Sequence, residues 1–308
     1  MTVLVVVGTR THHESVFIDE VFDARGGLAT TDQLLAVMSR KALAGHVKAG
    51  AIVRVWRGVY SLAMPDTLGR LDALDRVTGR HVVACMNTAA ELHGFDGYPE
   101  RRIHILDPGV RMRPVDGLMV HQRLGAPLQR VRGRLTTTPA WTATELARLR
   151  SRPRALAVLD AAVHSGACTA ADLGASVCEQ KGRRGIVAVR DLLAHVDGRA
   201  ESVMESEARL VMIDGGLPAP VLQFEVVDRQ GQLWRIDFAW PAANLAAEYD
   251  SIEWHSSREG MLRDKMRTAR LQECGWTIIP ITVDDVRRDP IGLVARIRHH
   301  LYTARQAG

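Results

Sequence analysis

The amino-acid sequence predicts an α+β protein built from several domains. Three stretches of the chain differ in how helical and strand patterns alternate. Residues 18–63 give three helical patterns and two short strands, residues 69–198 mix short strands with helices, and residues 199–302 give helix, three strands, helix, strand and helix. A chain of 308 residues is long enough for two or three domains with ample core.

The composition is that of a globular protein with a modest excess of positive charge. Apolar residues make up 46% of the chain and charged residues 24%, whereas aromatic residues make up only 5%. So small an aromatic share gives no sign of an extended stacking platform for bases. The net charge of +5 and the pI near 9.3 favour a polyanionic partner, although charge alone does not identify nucleic acid.

The cysteines and the apolar runs predict a cytoplasmic protein without a membrane span. The four cysteines are scattered and form no C-x-x-C pair, which argues against a structural zinc site and a disulfide framework and fits a reducing compartment. No apolar run approaches the roughly 18 residues that a membrane helix needs. The run Val3–Val7 lacks the basic flank and cleavage site of a signal peptide, so residues 1–15 are interpreted as an extra strand or an upstream extension.

Residues 16–68 predict a winged helix-turn-helix domain. Two glycines end a first helix, Thr30 and Thr31 cap a second, and Ser39 caps a third, which ends at Gly50. Two short strands follow and form the wing. This order is typical of domains that insert their third helix into the major groove of duplex DNA.

The basic residues of this domain are predicted to contact DNA. In the third helix Leu43 and Val47 face the core and leave the charged side chains outward, while the arginines of the wing reach phosphates. The predicted DNA-binding residues are Arg40, Lys41, Lys48, Arg54 and Arg57. The alternative interpretation is that any small helical domain exposes basic residues in this way.

Residues 69–198 are predicted to form a mixed α/β middle domain. Strand patterns occupy 101–106 and 117–122, helical patterns occupy 144–149 and 154–165, and Thr169 caps a further helix. Arginine-rich segments recur here, including Arg148, Arg150, Arg152 and Arg154. They suit either a phosphate-binding track or ordinary solvent-exposed faces. No metal-ligand spacing relates His93, His104 and His121.

From residue 199 the order of elements is that of the restriction-endonuclease-like fold. A helix at 201–214 precedes a strand at 221–227 and a hairpin at 234–250; a helix, a strand and a terminal helix follow. Helix, three antiparallel strands, helix and strand make up the core of that fold, whose reaction is phosphodiester hydrolysis by a metal-bound water. The predicted domain spans residues 199–308.

The hairpin carries the candidate active site. Alternation places Trp234, Ile236, Phe238 and Trp240 on one face and the charged residues on the other. If Ala242 and Ala243 form the turn, Asp237 lies opposite Glu248, with their Cβ atoms about 4.5–5.5 Å apart. Facing carboxylates are destabilising unless a cation lies between them, and Mg²⁺ or Mn²⁺ suits oxygen ligands.

Three further residues complete the predicted site. Glu205, on the preceding helix, points to the same face and is the third metal ligand beside Asp237 and Glu248. Asp250 and His255 are predicted to orient or deprotonate the attacking water. The alternative for Asp250 is an ion pair with Arg235, which the same register places opposite it.

The helix after the hairpin has an apolar and a basic face. Leu262, Met266 and Ala269 form an apolar stripe that is predicted to face inward. Arg263 and Arg267 lie on the other face and are predicted to contact the phosphates of DNA.

Two family resemblances rest on these motifs. Residues 199–302 resemble a bacterial nuclease-like domain of unknown function that is related to very-short-patch-repair endonucleases within the PD-(D/E)XK superfamily. The motifs that carry this resemblance are Ala200-Glu201-Ser202 with Glu205, Ile236-Asp237-Phe238, Glu248-Tyr249-Asp250 and Gly275-Trp276. Residues 18–63 and the middle segment of the chain, but not the first fifteen residues, are similar to AbiEi-type antitoxins. The motifs there are Arg57-Gly58-Val59-Tyr60, Asn87-Thr88-Ala89-Ala90 and Thr136-Thr137-Thr138-Pro139.

One departure from the PD-(D/E)XK superfamily bears on catalysis. The usual E-x-K motif is here Glu248-Tyr249-Asp250, so the lysine that normally polarises the attacking water is absent. The resemblance implies that an acidic residue is common at this position in the branch. Lys265 is the nearest candidate to replace the missing lysine.

Two functions of different classes follow from these observations. In the first, the winged helix guides a DNA endonuclease that depends on Mg²⁺ or Mn²⁺. In the second, which the antitoxin resemblance implies, the chain is a non-catalytic regulator of duplex DNA with a cognate toxin as partner, and its nuclease-like domain serves for binding or forms a homodimer. Neutralisation of the hairpin carboxylates by Arg235 or Lys265 would favour the second function. A nuclease acting on RNA is a third interpretation, because no base-reading motif is visible.

Overall fold

A computed structural model describes residues 19–95, 97–98, 100–110, 112, 115–122, 125–250 and 258–307. They divide between two compact units, one drawn from residues 1–89 and 100–137 and the other from residues 90–99 and 138–308. The predicted extension of residues 1–15 lies outside the described residues. The predicted domain boundaries after residues 68 and 198 stay predictions. None of the helices in the described part of the chain has the length and apolar character needed to span a bilayer.

The first unit begins with helices and a small antiparallel sheet. Its elements are a helix at residues 19–23 (α1), β1 (Ala29–Thr30), α2 (Thr31–Leu35), α3 (Arg40–Lys48), β2 (Val53–Trp56) and β3 (Val59–Ser61). The strand order is β1-β3-β2, with β3 antiparallel to both neighbours. The three predicted helices and the predicted hairpin are therefore present, and β1 is an additional strand.

Local chemistry sets the ends of these elements. Thr30 forms a capping box with Gln33 at the start of α2, and the Ser39 hydroxyl accepts the Ala42 N–H at the start of α3. Gly58 has a φ of +88°, which allows the tight turn between β2 and β3. Helix α2 ends three residues before the predicted Met38. The buried residues that hold this part together are Val21, Phe22, Ala29, Leu34, Leu43, Ile52 and Tyr60.

The first unit continues with one long helix and two strand pairs. Its elements are α4 (Thr67–Thr78), the start of α5 (Met86–His93), β4 (Ile103–Leu106), β5 (Leu118–His121), β6 (Leu128–Val131) and β7 (Arg134–Thr137). Strands β4 and β5 are parallel and confirm the two strands predicted here, while β6 and β7 are antiparallel. The buried Arg134 guanidinium binds Asp72 and Asp75 of α4, at 3.1 and 2.5 Å.

The second unit begins with four helices. They are α6 (Pro139–Ala147), α7 (Arg152–His164), α8 (Ala170–Glu179) and α9 (Ile186–Leu192). Thr169 and Asp172 form a capping box, which confirms the predicted start of α8. Helix α6 starts five residues before the predicted Thr144, because Pro139 suits the first turn of a helix.

The second unit ends with a four-stranded sheet between helices. Its elements are α10 (Val203–Asp214), β8 (Val221–Val227), β9 (Leu233–Trp240), β10 (Leu245–Tyr249), α11 (Arg258–Glu273), β11 (Thr277–Ile281), α12 (Val283–Arg287) and α13 (Pro290–Ala307). The strand order is β11-β10-β9-β8, with β10 and β11 parallel and the other pairs antiparallel. The predicted order of elements is present, with α12 as an addition that Thr282 and Asp285 cap.

Two apolar clusters cover this sheet. Phe238 and Trp240 belong to a cluster with Leu293 and Ile297 of α13, whereas Ile236 and Trp234 pack in a second cluster with Leu271 and Trp276. The predicted single face of the four side chains is thus divided between two clusters. The division falls at Asp237, where the facing residue of β8, Gln223, has a positive φ of 51° and interrupts regular alternation.

A buried ion pair joins α7 to α10. The Arg209 guanidinium lies 2.6 Å from the Asp160 carboxylate, and the two side chains are only 6% and 1% exposed. Asp160 also accepts the Asp197 N–H at 2.8 Å. Burial raises the pKa of Asp160, and the Arg209 charge partly offsets this effect. A buried ion pair therefore joins the helices before residue 198 to the helix that precedes the four-stranded sheet.

We predict that Arg209→Met lowers the free energy of unfolding by about 3–5 kcal/mol, because Asp160 is then buried without its cation. The matched control is Arg152→Met, which removes a pair with Asp214 whose side chains are 40% and 38% exposed. That change should cost no more than about 1 kcal/mol. Urea-induced unfolding measures both values, and equal costs would contradict the importance assigned to the buried pair.

Candidate functional site

The predicted register of the hairpin is confirmed. Leu245 pairs with Trp240, Ala246 with Ala239 and Ala247 with Phe238, so the next facing positions are Glu248 and Asp237. The connection is a 3₁₀ turn at Pro241–Ala243, followed by Asn244 with a φ of 45°. The Asp237 carboxylate accepts the Tyr249 N–H at 3.0 Å, which holds it beside β10.

Glu205 is buried at the start of α10. The hydroxyl of Ser202 accepts the Glu205 N–H at 3.1 Å and caps the helix. The Glu205 carboxylate accepts the Glu201 N–H and the amide of Gln223, both at 2.9 Å. Sequence reasoning missed the contact between Gln223 and Glu205. The signal that could have indicated it is the polar residue Gln223 within the mostly apolar strand β8.

Two arginines compensate the remaining carboxylates. Arg267 of α11 donates to the Glu248 carboxylate and to the Arg235 carbonyl, so it bridges β10 and β9. The Arg235 side chain instead binds Glu201, at 2.5 Å. We call Glu201, Glu205, Asp237 and Glu248 with these two arginines the acidic centre. The ion pair predicted as an alternative between Asp250 and Arg235 is replaced by that with Glu201.

Burial is the main cause of raised pKa values for two carboxylates in the acidic centre, Asp237 and Glu205. It raises the pKa of Asp237, with a further increase from the Glu201 charge, while the Tyr249 N–H and the arginine charges oppose this effect. Burial also raises the pKa of Glu205, and the charges of Asp237 and Glu201 add to it. These carboxylates therefore lie close enough to disfavour each other's ionised forms.

In this arrangement the carboxylates are held by hydrogen bonds and by a side-chain cation. Among the described residues, no group of three or more His, Cys, Asp and Glu side chains is placed to hold a metal ion. Glu205 already accepts two hydrogen bonds, and Arg267 is bound to Glu248. A guanidinium takes the place beside Glu248 where the sequence predicted Mg²⁺ or Mn²⁺. The metal ligands Glu205, Asp237 and Glu248 thus stay a prediction.

The orientation predicted for α11 is wrong. Leu262 and Met266 were expected to face inward, but they are 57% and 53% exposed. Leu271 is fully buried instead, against Ile236 and Trp276. Leu271 lies one turn after Arg267 on the same side of the helix, and Arg267 is the counter-charge of the Glu248 carboxylate. Arg267 contacts the acidic centre, and its predicted contact with DNA stays a prediction.

The remaining predicted site residues lie apart from these contacts or outside the described residues. Asp250 is exposed, and its N–H donates to the Ile281 carbonyl at 2.8 Å. Lys265 and Arg263 are exposed on α11. His255 lies outside the described residues. Their predicted roles in catalysis or DNA contact stay predictions.

The predicted DNA-binding residues of the first unit are all exposed. Arg40, Lys41, Lys48, Arg54 and Arg57 have solvent-accessible side chains, while Leu43 is buried and Val47 packs against the core as predicted. The Arg54 guanidinium lies 5.7 Å from the centre of the Tyr60 ring, which supports its position on β2. Helix α3 and the β2–β3 hairpin therefore present cations to solvent.

Comparison with known proteins first relates the central segment of the chain to a class of proteins. Residues 82–195 match the AbiEi antitoxin C-terminal domain. Over 271 residues the chain is also 62% identical to the uncharacterized protein MT2308 of Mycobacterium tuberculosis strain CDC 1551 / Oshkosh, covering 88% of this chain and 100% of the relative. The same values hold for the uncharacterized protein Rv2248 of strain ATCC 25618 / H37Rv. The chain belongs to the family of these mycobacterial proteins.

The match confirms the predicted resemblance of the middle of the chain to AbiEi-type antitoxins. The predicted resemblance of residues 199–302 to a nuclease-like domain lies beyond the matched segment. That part of the family assignment stays a prediction.

We predict that Asp237→Asn raises the free energy of unfolding at pH 7 by about 0.5–2 kcal/mol. The folded state binds the Asp237 proton more tightly than the unfolded chain does, so ionisation costs stability as the pH rises from the ordinary value of 3.8 through the raised pKa. The stability of the Asp237→Asn variant should not decline in this way as the pH rises, because its side chain does not ionise. Its amide oxygen still accepts the Tyr249 N–H.

Urea unfolding between pH 4 and pH 7 measures the change. The control is Asp172→Asn, because hydrogen bonds from Thr169 lower the pKa of Asp172. Asp172 contributes stability above its ordinary pKa, so the control should lower stability at pH 7. A loss of stability in Asp237→Asn at pH 7 would show that its charge stabilises the fold.

Proposed function

We propose that this protein is a cytoplasmic, DNA-binding regulator of the antitoxin type. Residues 16–68 act as a winged helix-turn-helix domain, and residues 69–198 form the antitoxin-like middle domain. Residues 199–308 have a restriction-endonuclease-like fold of the PD-(D/E)XK type that binds or dimerises but does not hydrolyse nucleic acid. The match of residues 82–195 to an antitoxin domain supports this class.

The DNA-binding role is supported by charge and position together. Residues 33–65 contain five arginines and lysines and no aspartate or glutamate. All five are exposed, on α3 and on the β2–β3 hairpin. In a winged helix, these two elements contact the major groove and the neighbouring backbone. The surface is therefore suited to the phosphates of duplex DNA.

The observation that carries the choice of a regulator over a nuclease is the ion pair between Arg267 and Glu248. The guanidinium compensates the carboxylate that a metal-dependent nuclease needs for its cation, and Arg235 compensates Glu201 in the same way. The missing lysine of the E-x-K motif points in the same direction. Two side-chain cations thus compensate Glu248 and Glu201 within the acidic centre.

An antitoxin domain also implies a protein partner. We propose a cognate toxin as that partner, because the matched family is one of antitoxins. A homodimer is the second proposed assembly, and sedimentation of the purified chain tests it. Neither proposal requires the acidic centre to be catalytic.

Charge reversal of α3 tests the DNA-binding role. We predict that Arg40→Glu combined with Lys41→Glu weakens binding to duplex DNA by about a hundredfold or more at 0.1 M salt, because at least two phosphate contacts are lost. The plot of log affinity against log salt should become less steep by about two. The matched control reverses Arg80 and Arg130, two exposed arginines elsewhere in the same unit.

Binding is measured by gel shift and fluorescence anisotropy over a range of salt concentrations. Unchanged affinity of the α3 variant at low salt would remove the winged helix from the proposal. An equal loss in both variants would show that only net charge matters.

Nicking of supercoiled plasmid in Mg²⁺ and in Mn²⁺ tests the absence of catalysis. We expect no nicking by the wild type or by the Asp237→Ala, Glu248→Ala double variant, with duplex binding retained in both. Nicking by the wild type that the double variant loses would overturn the regulator and establish a metal-dependent nuclease at this site. A single-stranded RNA substrate, assayed in parallel, tests the third interpretation.

A further inference from the structure

One arginine of α4, Arg70, contacts both the wing, which is the β2–β3 hairpin, and the strand pair β4–β5 of the first unit. On the side of the strand pair, its guanidinium donates to the Arg101 carbonyl at 2.7 Å and to the Gly117 carbonyl at 3.1 Å. These two residues stand just before β4 and β5, within the segment that matches the antitoxin domain. Arg70 therefore fixes α4 to both strands of the pair.

The same side chain covers the buried tryptophan of the wing. The Arg70 guanidinium lies 5.1 Å from the centre of the Trp56 ring, where the face of the indole attracts a cation. The Trp56 indole N–H also donates to the Arg70 carbonyl at 2.8 Å. Trp56 is only 7% exposed. One residue of α4 thus holds the indole both by its face and by its N–H.

A register shift in β2 places the wing cations on either side of this tryptophan. The pairing of β2 with β3 shifts between Arg54 and Trp56. Regular alternation would bury only one of two consecutive residues, but Val55 and Trp56 are both buried. Arg54 and Arg57 on either side are exposed. The orientation of Trp56 therefore determines where these two cations point.

Gly117 leaves the space in which the guanidinium, the indole and the strand pair meet. Its φ is +77°, and a Cβ at this position would lie 3.2 Å from the Arg70 guanidinium and 3.8 Å from the Trp56 ring. A side chain here would crowd both groups. The backbone before β5, the guanidinium and the wing are therefore packed against one another.

We propose that Arg70 is a positioning residue for DNA binding, which sets the orientation of the wing through Trp56. The wing then holds Arg54 and Arg57 against backbone phosphates, and a fixed wing binds at a lower entropic cost than a mobile one. The winged helix is accordingly not an independent module, because the strand pair of the antitoxin-like segment holds its wing. The inference rests on the proposed function, since it assumes that the chain binds duplex DNA.

The first experiment compares two substitutions on α4 in the full chain. Arg70→Met removes the contacts with both carbonyls and with the Trp56 ring. The matched control is Arg76→Met, which removes the same charge and two similar hydrogen bonds. The acceptors of Arg76 are the carbonyls of Leu28 and Arg25, at 2.6 and 2.7 Å, and they lie outside the wing. Urea unfolding of both variants checks that they remain folded.

We expect Arg70→Met to bind a mixed-sequence duplex about tenfold more weakly at 0.1 M salt, because both wing cations lose their phosphates. The plot of log affinity against log salt should become less steep by about two, whereas the control should change little. Equal losses in the variant and the control would overturn the inference.

A second experiment separates positioning from a general structural role. The wing is neutralised by Arg54→Gln with Arg57→Gln, and Arg70→Met is then added. The effects of independent sites add, whereas those of residues that act through one another do not. The loss caused by Arg70→Met should therefore vanish in the neutralised wing but persist when α3 is neutralised by Arg40→Gln with Lys41→Gln.

Trp56→Phe keeps the test decisive if Arg70→Met does not fold. This variant retains an aromatic ring beside the guanidinium but removes the N–H that donates to the Arg70 carbonyl. Its loss of affinity should be smaller and should also disappear in the neutralised wing.

A loss from Arg70→Met that persists in the neutralised wing would overturn the inference, because the guanidinium would then contact DNA itself or only stabilise the fold. A neutralised wing that binds like the wild type would also overturn it and leave the DNA-binding role with α3. No binding of duplex by the wild type at low salt would overturn both proposals.

Discussion

The contact of Arg267 with Glu248 and the Arg235 carbonyl fixes the arrangement of the C-terminal sheet and its helix. It ties α11 to two neighbouring strands at the point where four carboxylates gather. Moving a charged side chain out of water is costly unless it is paired with an opposite charge. The partly buried Glu248 carboxylate therefore requires a cation nearby. Once Arg267 supplies that cation, Leu271 faces the core and Leu262 and Met266 face solvent. The position of the helix and the state of the acidic centre therefore have the same cause.

Short-range chemistry was predictable from the sequence. The caps at Thr30, Ser39 and Thr169 depend on residues three positions apart, and the register of Asp237 opposite Glu248 depends on one short turn. Turn length and alternation suffice to set them, and the order of elements in the C-terminal domain follows from the same patterns.

Long-range choices were not predictable in the same way. The apolar stripe of Leu262 and Met266 is the clearer pattern in α11, but the contacts of Leu271 and Arg267 decide which side of the helix is buried. The positive φ of Gln223, which divides the apolar residues of β9 between two clusters, also has no local signature. In the acidic centre, the sequence identified the carboxylates of Asp237, Glu248 and Glu205 but assigned the counter-charge of the hairpin carboxylates to a metal, to Arg235 or to Lys265 rather than to Arg267.

The Arg267 guanidinium in the acidic centre differs from a bound metal ion, because its presence does not depend on a binding equilibrium with ions in solution. A bound ion stabilises a fold by an amount that depends on its free concentration and its dissociation constant. Arg267 is part of the chain, so its local concentration is constant and no ion has to be recruited before α11 can dock. The compensation of Glu248 therefore forms together with the fold and does not vary with the concentration of ions in solution.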